Sequence, residues 1–292
     1  MDPYKNCKHL IIKYLFSYDG NKLKAKLTKM GVGAGDALMV HASWIPTSGF
    51  RGSPLEMIEA LKSTVGEEGL LAMPSMTYHN QSSREFLESG KPVDIRRSPS
   101  KMGILSEVFR RNRAVQRSQS VTHPILVWGK GGTALIEGQA QNDKPFGKDS
   151  VFNRLLKLNG KVLCINTPFS SITFTHHLED RIAGHLPFSL YESQPMTGIL
   201  IDQAGNRREL KAFVLSERAN ALRCEERLIQ ELDRHGIIQR SRIGNTRLLL
   251  VECQRMRDCV EEMYQKGKSF FDTPEENPEE NKSVKPVMDM NA

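Results

Sequence analysis

Three side chains that can carry out acid–base chemistry recur at a spacing of three in the segment SSITFTHHLEDRIAG. If this segment is helical, Thr173, His176 and Glu179 share one face, because positions three apart differ by only about 60° in direction. A carboxylate beside an imidazole holds one ring tautomer and leaves the other nitrogen free to accept a proton from a substrate. A threonine hydroxyl on the same face can donate to a developing oxyanion. The spacing is therefore compatible with a general-base site.

The same segment has two other interpretations. A metal site would combine His176 and Glu179 with Asp180 or His185, but it needs three or four converging ligands, and no spacing here matches a strong metal signature. Alternatively, the stripe is a partly exposed helix face without chemistry. His177 lies about 100° away from His176 on a helix, so the two histidines cannot both face one site.

The elements that would position these side chains follow an alternating pattern. DALMVHAS predicts a buried strand, and a helix begins after Ser53, with Pro54 at its first position and Glu56 completing a capping box. LLAMPS then predicts a second strand, so residues 36–74 form a strand–helix–strand unit with parallel strands. KVLCIN predicts a further buried strand directly before the helix that carries His176, where functional groups collect in α/β sheets. The alternation predicts an α/β fold.

The remaining segments predict a less regular second part. Residues 78–99 read as a long polar loop, and MTGILIDQAGNRRELKAF as a β-hairpin. SERANALRCEERLIQELDRHG reads as one long amphipathic helix, and CQRMRDCVEEMYQKG as a closing helix. The end of the chain, from Asp272, is rich in Pro, Glu and Asn and is predicted to be disordered. We therefore expect a single domain over residues 1–271, less regular from about residue 190.

Composition limits the classes of partner. The 292-residue chain has no apolar run near the roughly 18 residues that span a membrane, and its start lacks a secretory signal. Its five cysteines are odd in number and show no CxxC spacing of a zinc or redox site; reduced thiols fit the cytoplasm, where we expect the protein. The net charge of +7 favours an anionic partner, which can be nucleic acid, a phosphate-bearing cofactor or an anionic substrate. The basic clusters DIRRSPSK and FRRNRAVQR lack interleaved aromatic residues, so we expect neither a nucleic acid nor a membrane partner.

Six short motifs occur in a fixed order between residues 22 and 266. They are LMVHASWIPTSGFRGSPLEMIEALKSTVGEEGLLAMPS, DIRRSPSKMGILSEVFRR, VQRSQSVTHPILVWGKGG, KPFGKDSVFNRLLKLNGKVLCIN, TFTHHLE and RSRIGNTRLLLVECQRMRDCVEEM. In this order they resemble the aminoglycoside 3-N-acetyltransferase family, also called antibiotic N-acetyltransferases. The resemblance implies an α/β fold with a central mixed β-sheet flanked by helices.

The resemblance also implies a reaction and roles for the stripe of three. The family transfers an acetyl group from acetyl-coenzyme A to an amine on a sugar ring. By resemblance, His176 is the general base, Glu179 orients it and balances its charge, and Thr173 stabilises the tetrahedral intermediate. The amine would attack the thioester directly, so neither a cysteine nucleophile nor a metal is expected.

Binding of coenzyme A is expected at the other motifs. The loop after LMVH, with the backbone amides of Ala42 and Ser43 and the side chain of His41, is one candidate. Charge-assisted contacts are expected from Arg117, Ser118 and His123. Further candidates for the phosphates are Arg96 and Arg97. The oligomeric state stays open, a homodimer included.

Departures from the family pattern affect the expected acceptor. The early His-Ser-Ser of the family is HAS here, and the GKDSVF segment has valine where the family has proline. The region DRIAGHLPFSLYESQPM carries few acids, and a net charge of +7 is unfavourable for a polycationic antibiotic. A nucleotide-linked or polysaccharide amino sugar is therefore the preferred acceptor. The alternatives are a catalytically retired protein that binds coenzyme A or a sugar, and a metal-dependent hydrolase.

Overall fold

Strands and helices alternate through residues 16–272, the part of the chain that the computed structural model describes. The strands are β1 (Ala37–Ala42), β2 (Leu70–Pro74), β3 (Val93–Asp94), β4 (Gln116–Arg117), β5 (Ile125–Gly129), β6 (Lys161–Ile165), β7 (Met196–Ile201), β8 (Arg207–Ala212), β9 (Gln239–Ile243) and β10 (Thr246–Glu252). The α-helices are α1 (Gly20–Lys29), α2 (Pro54–Val65), α3 (Ser83–Glu88), α4 (Ile104–Arg110), α5 (Gly132–Ile136), α6 (Val151–Lys157), α7 (Phe174–Ile182), α8 (Glu217–Leu222), α9 (Glu225–Arg234) and α10 (Cys253–Gln265). Short 3₁₀ turns occur between some of them.

Seven strands form the central sheet in the order β4-β5-β2-β1-β6-β10-β9. Strand β1 is parallel to β2 and to β6, whereas β5 and β10 run antiparallel to their neighbours, so the sheet is mixed. The three parallel strands are nearly continuous apolar runs, as expected for strands covered on both faces. The predicted strand–helix–strand unit over residues 36–74 and the α/β class are confirmed, including the mixed sheet flanked by helices.

Two layers of helices cover the central sheet. On one face, α1, α2 and α4 bury side chains such as Leu27, Ile58 and Phe109. On the other face, α6, α7 and α10 contribute Phe152, Leu178 and other apolar side chains. Helix α7 is thereby fixed against the sheet through its apolar face. Its polar face is left to form the site.

The predicted hairpin is confirmed as β7 and β8, which form a second sheet with β3 in the order β3-β7-β8. The prediction of a long polar loop over residues 78–99 is wrong, because this segment contains α3 and β3. Ser82 and Glu85 form a reciprocal capping box at the start of α3. Phe86 and Leu87 are then buried against the small sheet, which the polar composition of the segment concealed.

The prediction of one long helix after residue 215 is also wrong. The helix is interrupted between α8 and α9, where Arg223 has extended backbone angles, φ −67° and ψ 119°. Arg223 pairs there with Phe271 as an isolated β-bridge. At this interruption the side chain of Arg223 turns towards Glu179.

Gly198 in β7 holds the small sheet close to α3. A methyl group at this position would lie 2.6 Å from Leu87 Cδ2 and 2.7 Å from Val121 Cβ. We expect Gly198→Ala to lower the free energy of unfolding by about 1–3 kcal/mol, because overpacking forces backbone shifts. Urea denaturation measures this. Gly184→Ala is the control, since nothing lies within 4 Å of its added methyl; equal stability of the two variants would contradict the prediction.

Two expectations concern residues outside the described part of the chain. The start of the chain and the tail predicted to be disordered lie outside residues 16–272, apart from Asp272 itself.

Within the described residues, no helix is long and apolar enough to cross a membrane. Cys164, expected to be a buried strand residue, is buried in β6, and burial raises the pKa of its thiol to about 11.

Candidate active site

The carboxyl ends of the parallel strands open into a cavity of about 710 Å³. His41 lies near the end of β1, and Thr167 follows β6 at the same edge of the sheet. The first turn of α7 brings Thr173 and His176 to this cavity. Ser43 and His123 also line it. Five of the predicted site residues are thus brought together at one place: His41, Ser43, His123, Thr173 and His176.

Glu179 lies beneath His176 and joins it to a third residue. His176 Nδ1 is 3.1 Å from Glu179 Oε2. Arg223 donates from Nε to Glu179 Oε1 at 2.6 Å and from Nη2 to Oε2 at 2.8 Å. The Glu179 side chain is 0% exposed and that of Arg223 12%, whereas His176 is 23% exposed towards the cavity side of the helix. The result is a relay of imidazole, carboxylate and guanidinium.

The charges in this relay fix the tautomer of His176. Burial alone would raise the pKa of Glu179, but His176 and the hydrogen-bonded Arg223 outweigh it and hold that pKa below the ordinary value. The carboxylate is therefore ionised and can only accept hydrogen bonds. His176 must carry its proton on Nδ1, which leaves Nε2 unprotonated in the neutral ring. That nitrogen can act as a general base.

Thr173 begins α7 and lines the same cavity as His176. Its carbonyl accepts the backbone N–H of His176 at 3.2 Å, which fixes the two residues in one turn. The predicted face with Thr173, His176 and Glu179 thus exists in the structure. Thr173 and His176 therefore line the same cavity.

The neighbouring polar residues of α7 have structural partners. His177 is buried, and its Nδ1 donates to the carbonyl of Phe146 at 2.7 Å. Asp180 accepts a hydrogen bond from the Tyr191 hydroxyl at 2.8 Å. Among residues 16–272, no three His, Cys, Asp or Glu side chains form a group that could hold a metal ion. The metal interpretation, with Asp180 or His185, has no geometric support there.

Two further imidazoles at the cavity are neutral. Burial, and to a smaller extent the charge of His176, lowers the pKa of His123 to about 3. Burial lowers the pKa of His41 to about 4. Phe146 separates His123 from His176, with ring centroids 4.7 Å and 4.9 Å from the two imidazoles. His41 and His123 can therefore offer hydrogen bonds to a ligand without adding charge.

The loop after β1 differs from the expectation in one respect. The backbone N–H of Ser43 donates to the carbonyl of Ile165 at 2.9 Å, because the ladder between β1 and β6 continues through this residue. That amide is not available to a phosphate. The contribution that Ser43 can make to the cavity is its hydroxyl.

Arg117 and Ser118 are not brought to this cavity. Arg117 donates from Nη1 to the carbonyl of Ser98 at 2.6 Å and from Nη2 to the carbonyl of Ser75. The hydroxyl of Ser118 accepts the backbone N–H of Ile125 at 2.8 Å. Both residues line a different cavity that shares no lining residue with the first. Their expected contact with coenzyme A is thus without support, because the fold uses these side chains to hold its own backbone.

Arg96 and Arg97 follow β3 and are exposed. Their backbone amides both donate to Asp94 Oδ1 at 2.8 Å. Arg96 lines the same separate cavity as Arg117, and neither Arg96 nor Arg97 lines the cavity around His176.

A second opening reaches His176 from the side of α3 and α8. We call it the α3–α8 groove; Met76, His123 and His176 belong to both openings. The charged residues that line the groove are Arg84, Glu85 and Glu217. Arg84 forms an ion pair with Glu192, and its Nε lies 3.7 Å from Glu217 Oε1. In contrast, Lys101 is the only lysine, arginine or carboxylate among the residues that line the first cavity.

Sequence reasoning missed Arg223, Phe146 and the α3–α8 groove. Arg223 lies 44 positions after Glu179, in a segment with a helical pattern. The helical pattern of this segment does not indicate that the charged side chain of Arg223 faces the interior. The capping pair Ser82 and Glu85 was the one local signal that could have located α3 and the groove.

Comparison with known proteins is consistent with this geometry. Residues 39–265 match the model of a family described as aminoglycoside 3-N-acetyltransferase. Aminoglycoside N(3)-acetyltransferase VII of Streptomyces paromomycinus is 29% identical over 171 residues, which cover 54% of this chain and 59% of that protein. The match thus spans less than two thirds of that relative.

Solved structures extend the likeness to almost the whole chain. The aminoglycoside acetyltransferase AAC(3)-Xa has a TM-score of 0.76 at 20% identity, covering 93% of this chain and 99% of its own. AAC-IIIb, solved as a binary complex with CoASH, has a TM-score of 0.70 at 22% identity, covering 88% and 98%. At these identities the likeness establishes a shared fold.

Proposed function

Because the chain belongs to the aminoglycoside 3-N-acetyltransferase family, we propose that it transfers an acetyl group from acetyl-coenzyme A to an amine of an amino sugar. One observation carries the proposal. His176, held by Glu179, lies where two openings of different charge meet. A donor can enter by one opening and an acceptor by the other, so that both reach the same general base.

The larger cavity suits the donor. Lys101 is its one charged side chain apart from histidines, and no carboxylate lines it. An anionic ligand therefore meets no repulsion there. The hydroxyls of Ser43, Thr167 and Ser171 and the apolar surface of Met102 provide contacts for a long pantetheine arm. We assign the coenzyme A contacts to His41, Ser43 and His123, with Lys101 added for a phosphate.

The chemistry follows from the orientation of His176. The acceptor amine attacks the thioester carbonyl while Nε2 of His176 takes the amine proton. A C–N bond forms and the C–S bond breaks, with the sulfur leaving as thiolate and gaining a proton. Glu179, held in place by Arg223, stabilises the imidazolium that forms between these events, and the hydroxyl of Thr173 donates to the oxyanion of the tetrahedral intermediate.

The α3–α8 groove supports a cationic acceptor. Its one cation, Arg84, is paired with Glu192, whereas Glu85 and Glu217 add two further carboxylates. Charges within a Debye length of about 8 Å of a site act on its ligand more strongly than the net charge of the chain. An aminoglycoside amine therefore fits this groove better than the nucleotide-linked or polysaccharide amino sugar that the net charge favoured.

A panel of amines tests the proposal. The protein is incubated with acetyl-coenzyme A and either kanamycin-like aminoglycosides or nucleotide amino sugars, and thiol release is followed. We expect release with the aminoglycosides and little with the anionic sugars. Release with the anionic sugars alone would overturn the acceptor class. Binding of coenzyme A without release for any amine would instead indicate a retired enzyme, and stoichiometric zinc in the purified protein a hydrolase.

Glu217 offers a test of the groove itself. We expect Glu217→Gln to raise KM for an aminoglycoside by roughly two- to fivefold at low salt, with kcat retained, because an exposed ion pair contributes up to about 1 kcal/mol. Steady-state kinetics at two salt concentrations measure this. Glu209→Gln, which removes an exposed carboxylate of β8 outside the groove, is the matched control. An equal rise of KM in both variants would contradict a specific role for Glu217.

A further inference from the structure

A second cavity, of about 680 Å³, lies at the edge of the central sheet. Its walls come from β4, from the end of α4, from the segment around Gln139 and from the small sheet. It is similar in size to the cavity around His176, and the two share no lining residue. We call it the β4-edge cavity. Neither the general base nor the proposed donor and acceptor contacts belong to it.

The lining of this cavity is strongly cationic. Four arginines line it, Arg96, Arg110, Arg117 and Arg208, against the single carboxylate of Glu137. The charge of Arg110 is matched by a bidentate contact with Glu107. Within residues 16–272, the other three arginines have no ion pair. A cavity lined by four guanidinium groups and one carboxylate favours an anion.

Two of these arginines, Arg110 and Arg117, lie close enough to repel each other, and the nearby carboxylates of Glu107 and Asp94 offset part of this repulsion. Arg117 is buried, and its Nε has no hydrogen-bond partner among the described residues. Burial, followed by the nearby charge of Arg110, lowers the pKa of Arg117 to about 10. The guanidinium is still charged at neutral pH, so it adds to the potential in the cavity. A bound anion would offset the repulsion between the two guanidinium groups.

The walls are fixed by side chains that bind backbone carbonyls. Arg110 Nη1 donates to the carbonyl of Arg96 at 2.6 Å, which ties α4 to the segment after β3. Arg154 Nη1 donates to the carbonyl of Leu135 at 3.1 Å and holds α5 on the other side. The shape of the cavity is thus set by the fold before any ligand binds.

Amide groups add hydrogen-bonding capacity to the charge. Five glutamines line the cavity, at positions 116, 119, 139, 141 and 203. The carboxamide of Gln139 is buried in its wall with neither atom hydrogen-bonded to a described residue. Guanidinium groups bind phosphate oxygens in bidentate fashion. Arg96 follows β3 and Arg208 lies on β8, and these two strands flank β7. Both side chains are exposed and can contact such a group from two sides.

We propose that the β4-edge cavity is a second ligand site, which binds a small molecule carrying a pyrophosphate group. Arg96 and Arg208 make the direct contacts, and Arg117 supplies charge from the wall. The site is separate from the acetyl-transfer centre. It therefore does not depend on the proposed acetyl transfer.

Calorimetric titration with inorganic pyrophosphate at low ionic strength tests this site. We expect the wild-type protein to bind pyrophosphate, and Arg208→Glu to weaken binding by roughly tenfold or more, because a hydrogen bond to a charged group contributes about 1.5–3 kcal/mol. Arg207→Glu is the matched control. It makes the same charge change at an exposed neighbour on β8 that does not line the cavity, and its affinity is expected to stay within about twofold of wild type.

Three outcomes would overturn the proposal. Equal weakening by Arg207→Glu and Arg208→Glu would mean that only net charge matters. Displacement of pyrophosphate by saturating coenzyme A would mean that pyrophosphate binds in the cavity around His176 instead. Absence of binding, together with a wild-type dimer that Arg208→Glu dissociates, would make the cavity an interface between two copies. Retained pyrophosphate binding in a protein that acetylates no amine would leave this proposal standing while the proposed function fails.

Discussion

Replacing His176 with glutamine is expected to lower kcat for acetyl transfer by roughly 10²- to 10⁴-fold, the usual contribution of a positioned general base. The glutamine amide can still accept contacts in the cavity, but it cannot take the proton from the acceptor amine. Coenzyme A should bind with nearly unchanged affinity, because the contacts assigned to the donor come from other residues of the cavity. Thiol release and equilibrium binding of coenzyme A measure the two effects separately.

His185→Gln is the control for this substitution. His185 is exposed just beyond the end of α7 and does not line either opening at His176. Its variant should keep wild-type kcat, and both variants should unfold at the wild-type temperature. If His176→Gln kept full activity, the base would have to be sought elsewhere.

Replacing Arg223 with methionine is expected to have the largest effect on stability. It leaves the carboxylate of Glu179, which is 0% exposed, with the hydrogen bond from His176 as its remaining contact in this group. Breaking a buried ion pair by removing one member costs about 3–5 kcal/mol, because the other charge stays buried and uncompensated. We expect a loss of this size in the free energy of unfolding at pH 7, together with a lower kcat, since His176 loses its fixed orientation. Urea denaturation and steady-state kinetics measure both.

The pH dependence of this loss has a definite sign. The pKa of Glu179 is held below its ordinary value in the folded protein. A carboxyl group of this kind stabilises the fold above the unfolded pKa, and that stabilisation is lost as the pH falls through the folded pKa. The difference in stability between the wild type and Arg223→Met should therefore be greatest near neutral pH. Because Glu179 titrates alike in the two unfolded chains, the difference should shrink as the pH falls from the pKa of Glu179 in the folded variant towards its lower pKa in the folded wild type.

Two variants control for a general loss of charge. Arg181→Met breaks the partly exposed pair between Arg181 of α7 and Glu261 of α10, and we expect it to cost no more than about 1 kcal/mol. The double variant Arg223→Met with Glu179→Gln removes both charges and should lose less stability than Arg223→Met alone. A cost for Arg223→Met as small as that for Arg181→Met would contradict the role of the buried pair.

Local patterns were sufficient for the class of fold and for the stripe on α7. The apolar runs of β1, β2 and β6 and the capping box at Ser53 and Glu56 are short-range signals, and each produced the predicted element. The common face of Thr173, His176 and Glu179 follows from helical geometry alone. Where the local signal was weak, as in α3, or misleading, as at the interruption before α9, the prediction was wrong.

The amino-acid sequence by itself therefore determined the α/β alternation and the three polar residues that share one face of α7. Only the tertiary structure decided what surrounds them. It brought Arg223 to Glu179 across 44 positions, placed Arg117 in a wall of another cavity, and placed Glu85 and Glu217 in the lining of a groove that reaches His176. The physical reason is the range of each effect. Helices and strands follow from periodicity over a few residues, whereas ion pairs and the local charge of a groove depend on which distant segments pack together.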